Sequence, residues 1–404
     1  MKKSNYIYIA GLLFGGYFQN NWTIWLSNDM MLVISLFWCL FGILFIKWKK
    51  DVAHRGNGYE LIIALSCIFF LSALWPVFAY GQSFFSTLVA MRYNLLIIFY
   101  LVLMRMNPSD TDIYMALRLL SWTTILVSIL IYLNPDAFMA DKDALDYFLD
   151  TTKSKESSDV FVIIPPGFSY LVLFFFMQIQ NIIKTSSLKD FFLLSLLMLF
   201  IVIVQNRSTL IVAIPFYIYG LLKSRIRYKQ IVIVVFVAIS LPLIVYIGSH
   251  LIEETQNQIE NVNYNRWQAF SFFLVEFKTS IWTILFGHGV PCIGSMYLSE
   301  LLYAQNTRLA YISDIGMFGT YFMYGISMIF FCYYFVWKAL SRKCRSLYVK
   351  MYAVWMLLVP TIHSFAGGYS CATYFVMILF FYRVMSYSLN QSFYEKSICD
   401  NCEL

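Results

Sequence analysis

Arginines at unusual positions are the residues of this sequence best suited to chemistry. Four of them lie at the predicted outer ends of apolar segments or in the loops between them: Arg92, Arg207, Arg266 and Arg308. A single guanidinium can extend to lipid headgroups, but several together suit an anion with many oxygens, bound through paired, charge-assisted hydrogen bonds. Phosphate or diphosphate fits best, so the sequence indicates a lipid-linked diphosphate substrate at the outer leaflet.

A second polar group stands at the entrance to a long apolar run, in "YAQNTRLAYISDIGMFGTYFMYG", which begins at Tyr303. Gln305 and Asn306 can hydrogen bond a sugar hydroxyl, although neither is a base at ordinary pH. Asp314 follows, within the apolar run. Structural pairing of this carboxylate with an outer arginine, or with Tyr and Ser groups, competes with a catalytic role.

Two histidines are placed where they can face a site on the outer side. His288 lies between glycines in "FGHGVP", and His363 lies in "VPTIHSFAGG" near the outer end of a span. Either can act as a general base, and no spacing singles one out. The sequence has no Ser-His-Asp order, no paired metal ligands and no phosphate-cradling glycine loop, so we expect neither a metal nor a cofactor.

The elements that must position these residues are membrane helices. Only 13% of the 404 residues are charged and 60% are hydrophobic, against about 25% charged in soluble proteins. A span needs about 20 apolar residues, and a backbone in lipid must satisfy its own hydrogen bonds. We predict an all-α polytopic membrane protein, one domain over 1–404, with about 12 spans: 6–26, 29–48, 59–80, 87–106, 112–133, 161–183, 188–205, 207–222, 230–250, 309–338, 347–366 and 369–388.

Charge predicts the orientation of these spans. Of the 29 Lys and Arg residues, 20 fall on one side and seven in the segments of the other, and short loops rich in Lys and Arg stay inside. Both termini are therefore predicted to be cytoplasmic. The net charge of +7 reflects this topology and needs no nucleic-acid partner.

Two outer loops are long enough to build a site, at about 134–160 and about 251–308. The first is acidic. In the second, Trp267, Phe270, Leu274 and Phe277 fall on one helical stripe, which predicts a helix lying at the membrane surface.

The layout resembles the O-antigen polymerases (Wzy type) and the related O-antigen ligases. That superfamily has about a dozen spans, with a large periplasmic loop before the last three. Many members carry a His-Asn pair, nine residues and then Gly-x-x-Gly. Here Gln305-Asn306 precedes Gly316-Met317-Phe318-Gly319 at that spacing. Arg207 in "NRSTL", Arg266 in "NRW" and the "LFGHGV" turn resemble further family motifs.

The resemblance implies a GT-C-like glycosyltransferase of a bacterial inner membrane, with its active site facing the periplasm. Its substrate would be oligosaccharide repeat units on undecaprenyl diphosphate, polymerised into O-antigen during lipopolysaccharide biosynthesis. A polysaccharide chain-length regulator is a further expected partner. Catalytic roles carry over to Arg207, Arg266 and Gln305. Substrate binding falls to Arg92, Arg308, Asn306, Asp314, His288 and His363.

Two alternatives stay open. An O-antigen ligase would transfer finished glycan to lipid A core. Gln305 stands where ligases have a histidine thought to activate the acceptor, and this favours a polymerase. A flippase for lipid-linked oligosaccharide belongs to another class. It should place cationic residues along a path reachable from both sides, whereas here they concentrate at the outer end.

Overall fold

The structure is a computed structural model. It describes most of the predicted membrane segments and much of the second outer loop. The described residues are 2–15, 17, 28–46, 57–133, 167–204, 207–225, 265–277, 279–292, 294–308, 312–341, 344, 346–358 and 372–386. The predicted outer loop 134–160 and the predicted span 230–250 lie outside them.

Every regular element among these residues is helical. In chain order the α-helices are α1 Lys3–Phe14, α2 Asn28–Phe45, α3 Asn57–Tyr80, α4 Phe84–Ala90, α5 Ile98–Met106, α6 Asp110–Leu133, α7 Phe168–Thr185, α8 Leu188–Ile203, α9 Arg207–Lys223, α10 Asn265–Ser271, α11 Ile281–Phe286, α12 Met296–Arg308, α13 Met317–Leu340, α14 Leu347–Leu358 and α15 Ala372–Ser386. Short 3₁₀ turns cover Arg92–Ile97 and Ile312–Ile315, and a π-helix covers Phe272–Glu276.

The prediction of an all-α membrane protein is confirmed at this coarse level. Among the described residues, the stretches Tyr59–Tyr80, Asp110–Ile131 and Met317–Leu340 are long and apolar enough to cross a bilayer. A fourth span results if Phe84–Ala90 and Arg92–Met106, bent by 57° at Met91, count as one. Shorter apolar helices lie within the other predicted spans that the structure describes. The total of about 12 spans stays a prediction.

The centre of the bundle is α7, which packs against α6, α8, α9 and α14. The run from Tyr170 to Ile179 is buried on every face of this helix. A helix that is apolar all round can only be stable when protein or lipid surrounds it completely. Gln178, the polar exception, is satisfied by the Tyr114 hydroxyl, which donates to its carbonyl, and by its own amide, which donates to Asp190.

One end of the bundle is held by a polar network around Asp110 at the start of α6. The Asp110 carboxylate accepts from the Arg383 guanidinium of α15 and from the Tyr348 hydroxyl of α14, 3.0 Å away. The adjoining Asn107 accepts from Lys3 through its backbone oxygen (2.8 Å) and from Tyr382 through its amide oxygen (3.0 Å). The first and last described helices therefore meet at this end, called here the Asp110 end.

Helix α13 is broken within its apolar length. Gly325 has φ 72° and ψ −175°, so residues 317–324 and 326–340 form two half-helices. A break of this kind frees backbone carbonyls of the first half-helix, which lipid cannot satisfy. Two backbone N–H groups supply the missing bonds: His288 donates to Phe322 O at 2.7 Å and Gly289 donates to Met323 O at 2.9 Å.

Glycines permit this backbone-to-backbone contact. An ideal Cβ on Gly287 would lie 2.2 Å from the carbonyl carbon of Met323, and one on Gly325 would lie 2.4 Å from that of Leu285. A Cβ on Gly289 would lie 2.6 Å from Ser72 O on α3. All three glycines also have positive φ, where L side chains are strained. The loop 287–289, called here the wedge loop, therefore fits closely between α3 and the break in α13.

Replacing Gly287 with alanine should destabilise the protein far more than the same change at Gly294. Both glycines have φ near 80°, but a Cβ at Gly294 meets nothing within 4 Å. We expect a loss of about 3 kcal/mol or more for Gly287→Ala, since steric overlap adds to backbone strain, and about 1 kcal/mol for Gly294→Ala. Thermal unfolding in detergent, followed with a thiol-reactive dye that reports exposure of buried Cys39 and Cys344, measures the difference. Equal unfolding temperatures for Gly287→Ala and Gly294→Ala would contradict the close contact between Gly287 and α13.

Candidate functional site at the Arg92 end

The end of the bundle opposite Asp110, called here the Arg92 end, gathers most of the elements on which the sequence predicts a site. Helix α10, which carries Arg266, packs against the 3₁₀ turn that contains Asp314 and against α12. Helix α12 carries Gln305, Asn306 and Arg308. The backbone therefore brings together residues separated by up to 48 positions in the sequence.

Aromatic contacts hold this group on the start of α13. Phe270 of α10 meets Phe318 edge to face at 5.2 Å between ring centroids. One turn further along, Phe273 meets Phe322 at 4.9 Å. Such pairs add to the burial of their apolar surface, so the element that carries Arg266 has a fixed position relative to the first half of α13.

The Gly-x-x-Gly motif has a definite local role. Gly316 has φ 53° and precedes the first residue of α13, and its carbonyl accepts from the N–H groups of Gly319 and Thr320. A Cβ on Gly319 would lie 2.5 Å from Ile312 O. The second glycine therefore lets the 3₁₀ turn that contains Asp314 lie directly on the helix that follows it.

Side-chain geometry is known for only some of the predicted site residues. For Arg207, Arg266, Gln305, Arg308 and Asp314 the structure describes the backbone and not the side chain. Asn306 is exposed on α12. His363 is in a segment outside the described residues.

Arg92 is engaged by a carboxylate that sequence analysis did not identify. Its Nε donates to Asp29 Oδ1 at 2.8 Å, and its Nη1 donates to the Val89 carbonyl at 2.9 Å. The guanidinium also lies 5.0 Å from the ring centre of Tyr93. Both charged side chains are partly exposed, at 32% for Arg92 and 66% for Asp29. A substrate phosphate at Arg92 would therefore compete with Asp29.

The turn that begins at Arg92 is linked to the broken helix. Asn94 donates from its side-chain amide to the Tyr324 hydroxyl at 3.1 Å. Tyr324 is buried next to Gly325 and packs edge to face against Phe69 of α3 at 5.3 Å. The bend at Met91 and the break at Gly325 are thus joined through the Asn94–Tyr324 pair, and Arg92 is placed by the same core that places loop 287–289.

Arg207 begins a helix of another packing group. Helix α9 packs against α7, α8 and α14, and the Trp355 indole of α14 donates to the Thr209 hydroxyl at 3.4 Å. The first turn of α9 therefore lies beside the last turn of α14. Among the described residues, the principal packing contacts of α9 do not include α10 or α12. The backbone of Arg207 therefore lies in a different packing group from that of Arg266.

His288 is a packed residue rather than a solvent-facing one. It is 3% exposed, it stacks on Phe322 at 4.4 Å, and it meets the edges of Phe277 at 5.0 Å and Trp75 at 6.4 Å. Its Nδ1 has no hydrogen-bond partner among the described residues. Burial lowers the pKa of His288 from its ordinary 6.5 to about 4, so the ring is neutral at pH 7.

The predicted surface helix differs from expectation after its second turn. Residues Phe272–Glu276 form a π-helix, with Phe277 N donating to Phe272 O at 2.9 Å. Each i→i−5 bond adds one residue to the turn, so the spacing of the predicted stripe changes at the π-helix. Phe277, the last residue of the stripe, is still buried. Trp267, at its start, is 55% exposed, whereas Phe273, outside the stripe, is buried.

The π-helix borders a cleft of about 480 Å³. The end of α3, the π-helix and the first turns of α12 form its walls, which are lined by Tyr80, Phe272, Glu276, Phe277, Met296, Ser299, Glu300 and Tyr303. Behind the wall, Tyr80 stacks on buried Tyr297 at 4.7 Å, and the Tyr297 hydroxyl donates to Gly289 O. Burial, with smaller contributions from Tyr80 and Glu300, raises the pKa of Tyr297 well above its ordinary value.

The buried side-chain amide of Gln82 links the end of α3, beside this cleft, to the residues that directly follow the wedge loop. Gln82, just beyond α3, donates from its side chain to Val290 O at 3.2 Å and accepts from Cys292 N at 3.2 Å. In the sequence, a glutamine just after a predicted span indicates only that Gln82 lies in a loop. Its bridging role depends on partners more than 200 residues away.

The chain matches no protein-family model, and comparisons with curated proteins and with solved structures found no match.

Substituting His288 with phenylalanine should remove a pH dependence from stability. The folded state holds this ring neutral down to about pH 4, whereas the unfolded chain binds a proton below about pH 6.5. Stability is therefore fully present above pH 6.5 and falls as pH is lowered, by about 2 kcal/mol at pH 5 relative to pH 7.5. Thermal unfolding at the two pH values should show this loss in the wild type and not in His288→Phe.

His54→Gln is the control for this measurement, since His54 lies in a predicted inner loop. It should keep the wild-type pH dependence. An unchanged acid destabilisation in His288→Phe would show that other groups cause it.

Proposed function

We propose that this protein polymerises oligosaccharide repeat units carried on undecaprenyl diphosphate, at the periplasmic face of a bacterial inner membrane. One observation carries the proposal. Helix α10, which bears Arg266, packs against α12, which bears Gln305, Asn306 and Arg308, and against the turn that bears Asp314. That turn packs in its own right on α13, beside Gly316 and Gly319. The order of Arg266, Gln305–Asn306 and the two glycines in the sequence resembles that of the superfamily, and backbone proximity is what a shared site requires.

The reaction is a single displacement. A hydroxyl oxygen of the acceptor unit forms a bond to the anomeric carbon of the donor unit, and the bond from that carbon to the diphosphate oxygen breaks. The configuration at the anomeric carbon is inverted. Negative charge develops on the leaving diphosphate, and preorganised guanidiniums at that position lower the barrier most.

Within this proposal, each residue's role follows from the chemistry of its side chain and from its position in the fold. We assign contact with the diphosphate first to Arg266 and Arg207, and after them to Arg308 and Arg92. Gln305 and Asn306 orient the acceptor hydroxyl. His288, neutral and enclosed by aromatic rings, supports the wedge loop, and contact with substrate would require this packing to open. A base role for His363 and the role of Asp314 stay open within the proposal.

A transporter of lipid-linked sugar is the second candidate, because α13 is discontinuous. Broken helices at membrane depth form the binding sites of many transporters. Here, however, the backbone of loop 287–289 fills the break and satisfies its carbonyls. The two functions separate in cells without the protein. Loss of a polymerase leaves single repeat units transferred to the outer leaflet, whereas loss of a flippase leaves its substrate on the inner leaflet. A ligase would instead leave finished polymer on the carrier.

Alanine at Arg207, Arg266 or Gln305 should shorten the polymer. For the two arginines, loss of one transition-state contact to developing charge costs about 10²–10³-fold in rate. For Gln305, the loss comes from a misplaced acceptor hydroxyl. Gel profiles of the polysaccharide should therefore shift from long chains to single units, at unchanged protein levels. Arg→Lys at the two arginines should restore little, because a bidentate contact needs the planar guanidinium.

Arg225→Ala is the matched control, since Arg225 is exposed at the other end of the bundle, where its backbone N–H bonds Ser186. It should leave chain length unchanged. Long chains from all three variants would show that the site is elsewhere.

A further inference from the structure

Part of the second predicted outer loop lies alongside α13, below the end at which that helix begins. Phe277 and His288 flank this part, and both rings pack on Phe322, at 5.1 Å and 4.4 Å between ring centroids. The two rings also meet each other at 5.0 Å. The chain is therefore at the level of Phe322 both where this part of the loop begins and where it ends.

Between these two points the chain lies further along α13. Helix α11 packs against α13 and α3. The Leu285 carbonyl accepts from the Ser327 hydroxyl, and the Leu285 backbone faces Gly325. Ser327 is five residues beyond Phe322, which is about 7 Å along a helix. Residues 279–286 therefore form a hairpin, called here the α11 hairpin, that descends from the level of Phe322 and returns to it.

Two long apolar helices give the depth of the α11 hairpin. Ser327 is ten residues after Met317, so it lies about 15 Å along a helix that is long enough to cross a bilayer. On α3, a Cβ on Gly289 would meet Ser72 O, which is eight residues, or about 12 Å, from the end of that helix at Tyr80. The hydrocarbon core is about 30 Å thick. Both helices therefore place the hairpin inside the bilayer, in the leaflet at the Arg92 end.

The outward face of the α11 hairpin is apolar. Ile281 is 79% exposed, and Ile284 and Leu285 are 43% and 42% exposed. On α13, Phe330 is 67% exposed three residues beyond Ser327, so the hairpin continues the apolar surface of a membrane span. Lipid around this surface keeps these side chains out of water.

Backbone groups at both ends of α11 have protein partners, as helix ends in hydrocarbon require. At the first end, Thr283 N donates to Ser280 Oγ at 3.1 Å, and Ser280 N donates to Thr283 Oγ1 at 2.7 Å. At the other end, Gly287 N donates to Thr283 O at 2.8 Å, and Ser327 donates to Leu285 O. These groups consequently need no water.

We propose that the α11 hairpin is a re-entrant segment, which enters the bilayer from the Arg92 end and holds Ile281, Ile284 and Leu285 against the acyl chains of the bilayer lipid. Part of the predicted outer loop 251–308 is then embedded in the membrane. The inference is independent of the proposed function, because it depends on the depth of the hairpin and on its exposed side chains.

Photolabelling of the wild-type protein in phosphatidylcholine liposomes tests this position. The probe is phosphatidylcholine with a diazirine at the middle of one acyl chain, and peptide mass spectrometry locates the adducts. We expect adducts on Ile281 and Ile284 at a yield comparable to that on Leu126, which is 58% exposed within the span Asp110–Ile131.

Met296 is the matched control for this labelling, since it is apolar and 71% exposed in the same loop. It precedes Tyr297, which stacks on Tyr80 at the end of α3, so it lies at the level of the helix end and should carry no adduct. Adducts on Leu126 without any on Ile281 or Ile284 would overturn the proposal.

A nitroxide attached in the variant Ile281→Cys, in a background without the eight native cysteines, identifies what surrounds the side chain. Collisions with oxygen, which concentrates in the bilayer, should exceed collisions with a water-soluble nickel complex, as in Leu126→Cys. The order should reverse in Met296→Cys. More frequent collisions with nickel at Ile281→Cys would show water around the hairpin and overturn the proposal. Rare collisions with both reagents would show that protein covers it, which would overturn the contact with lipid.

Discussion

Two backbone hydrogen bonds, from His288 and Gly289 to the carbonyls of Phe322 and Met323, are the contact on which the Arg92 end depends. A helix interrupted at Gly325 leaves carbonyls that cannot be left bare at membrane depth. Here another backbone approaches closely enough to satisfy both, and glycines on the two sides, Gly287 and Gly325, leave room for it. The loop that contains residues 287–289 is consequently fastened to α13 at a fixed register. Its later segments, from α11 to the turn before α13, are positioned from that point.

These two hydrogen bonds explain how a loop can hold candidate site residues in fixed positions. Loops owe their precision to the rigid elements that hold them, and here the same wedge holds α11 and, through Gln82 and Tyr297, the end of α3 and the start of α12. The aromatic residues around His288 then exclude water from the contact. His288 is therefore a packing residue that helps to hold loop 287–289 against α13. Its place between two glycines in the sequence did not reveal this role.

Hydropathy predicted the helices well because span length and apolar composition follow from the bilayer itself. It did not predict departures from regular helix. A glycine in an apolar helix carries no signal about its φ, so the break at Gly325 was missed. The π-helix at Phe272–Glu276 changes hydrogen-bond register without changing composition. The association of Arg266 with the Gln305–Asp314 segment followed from sequence order, whereas the Asp29 partner of Arg92 and the Tyr80 wall of the cleft come from distant helices that no local pattern connects.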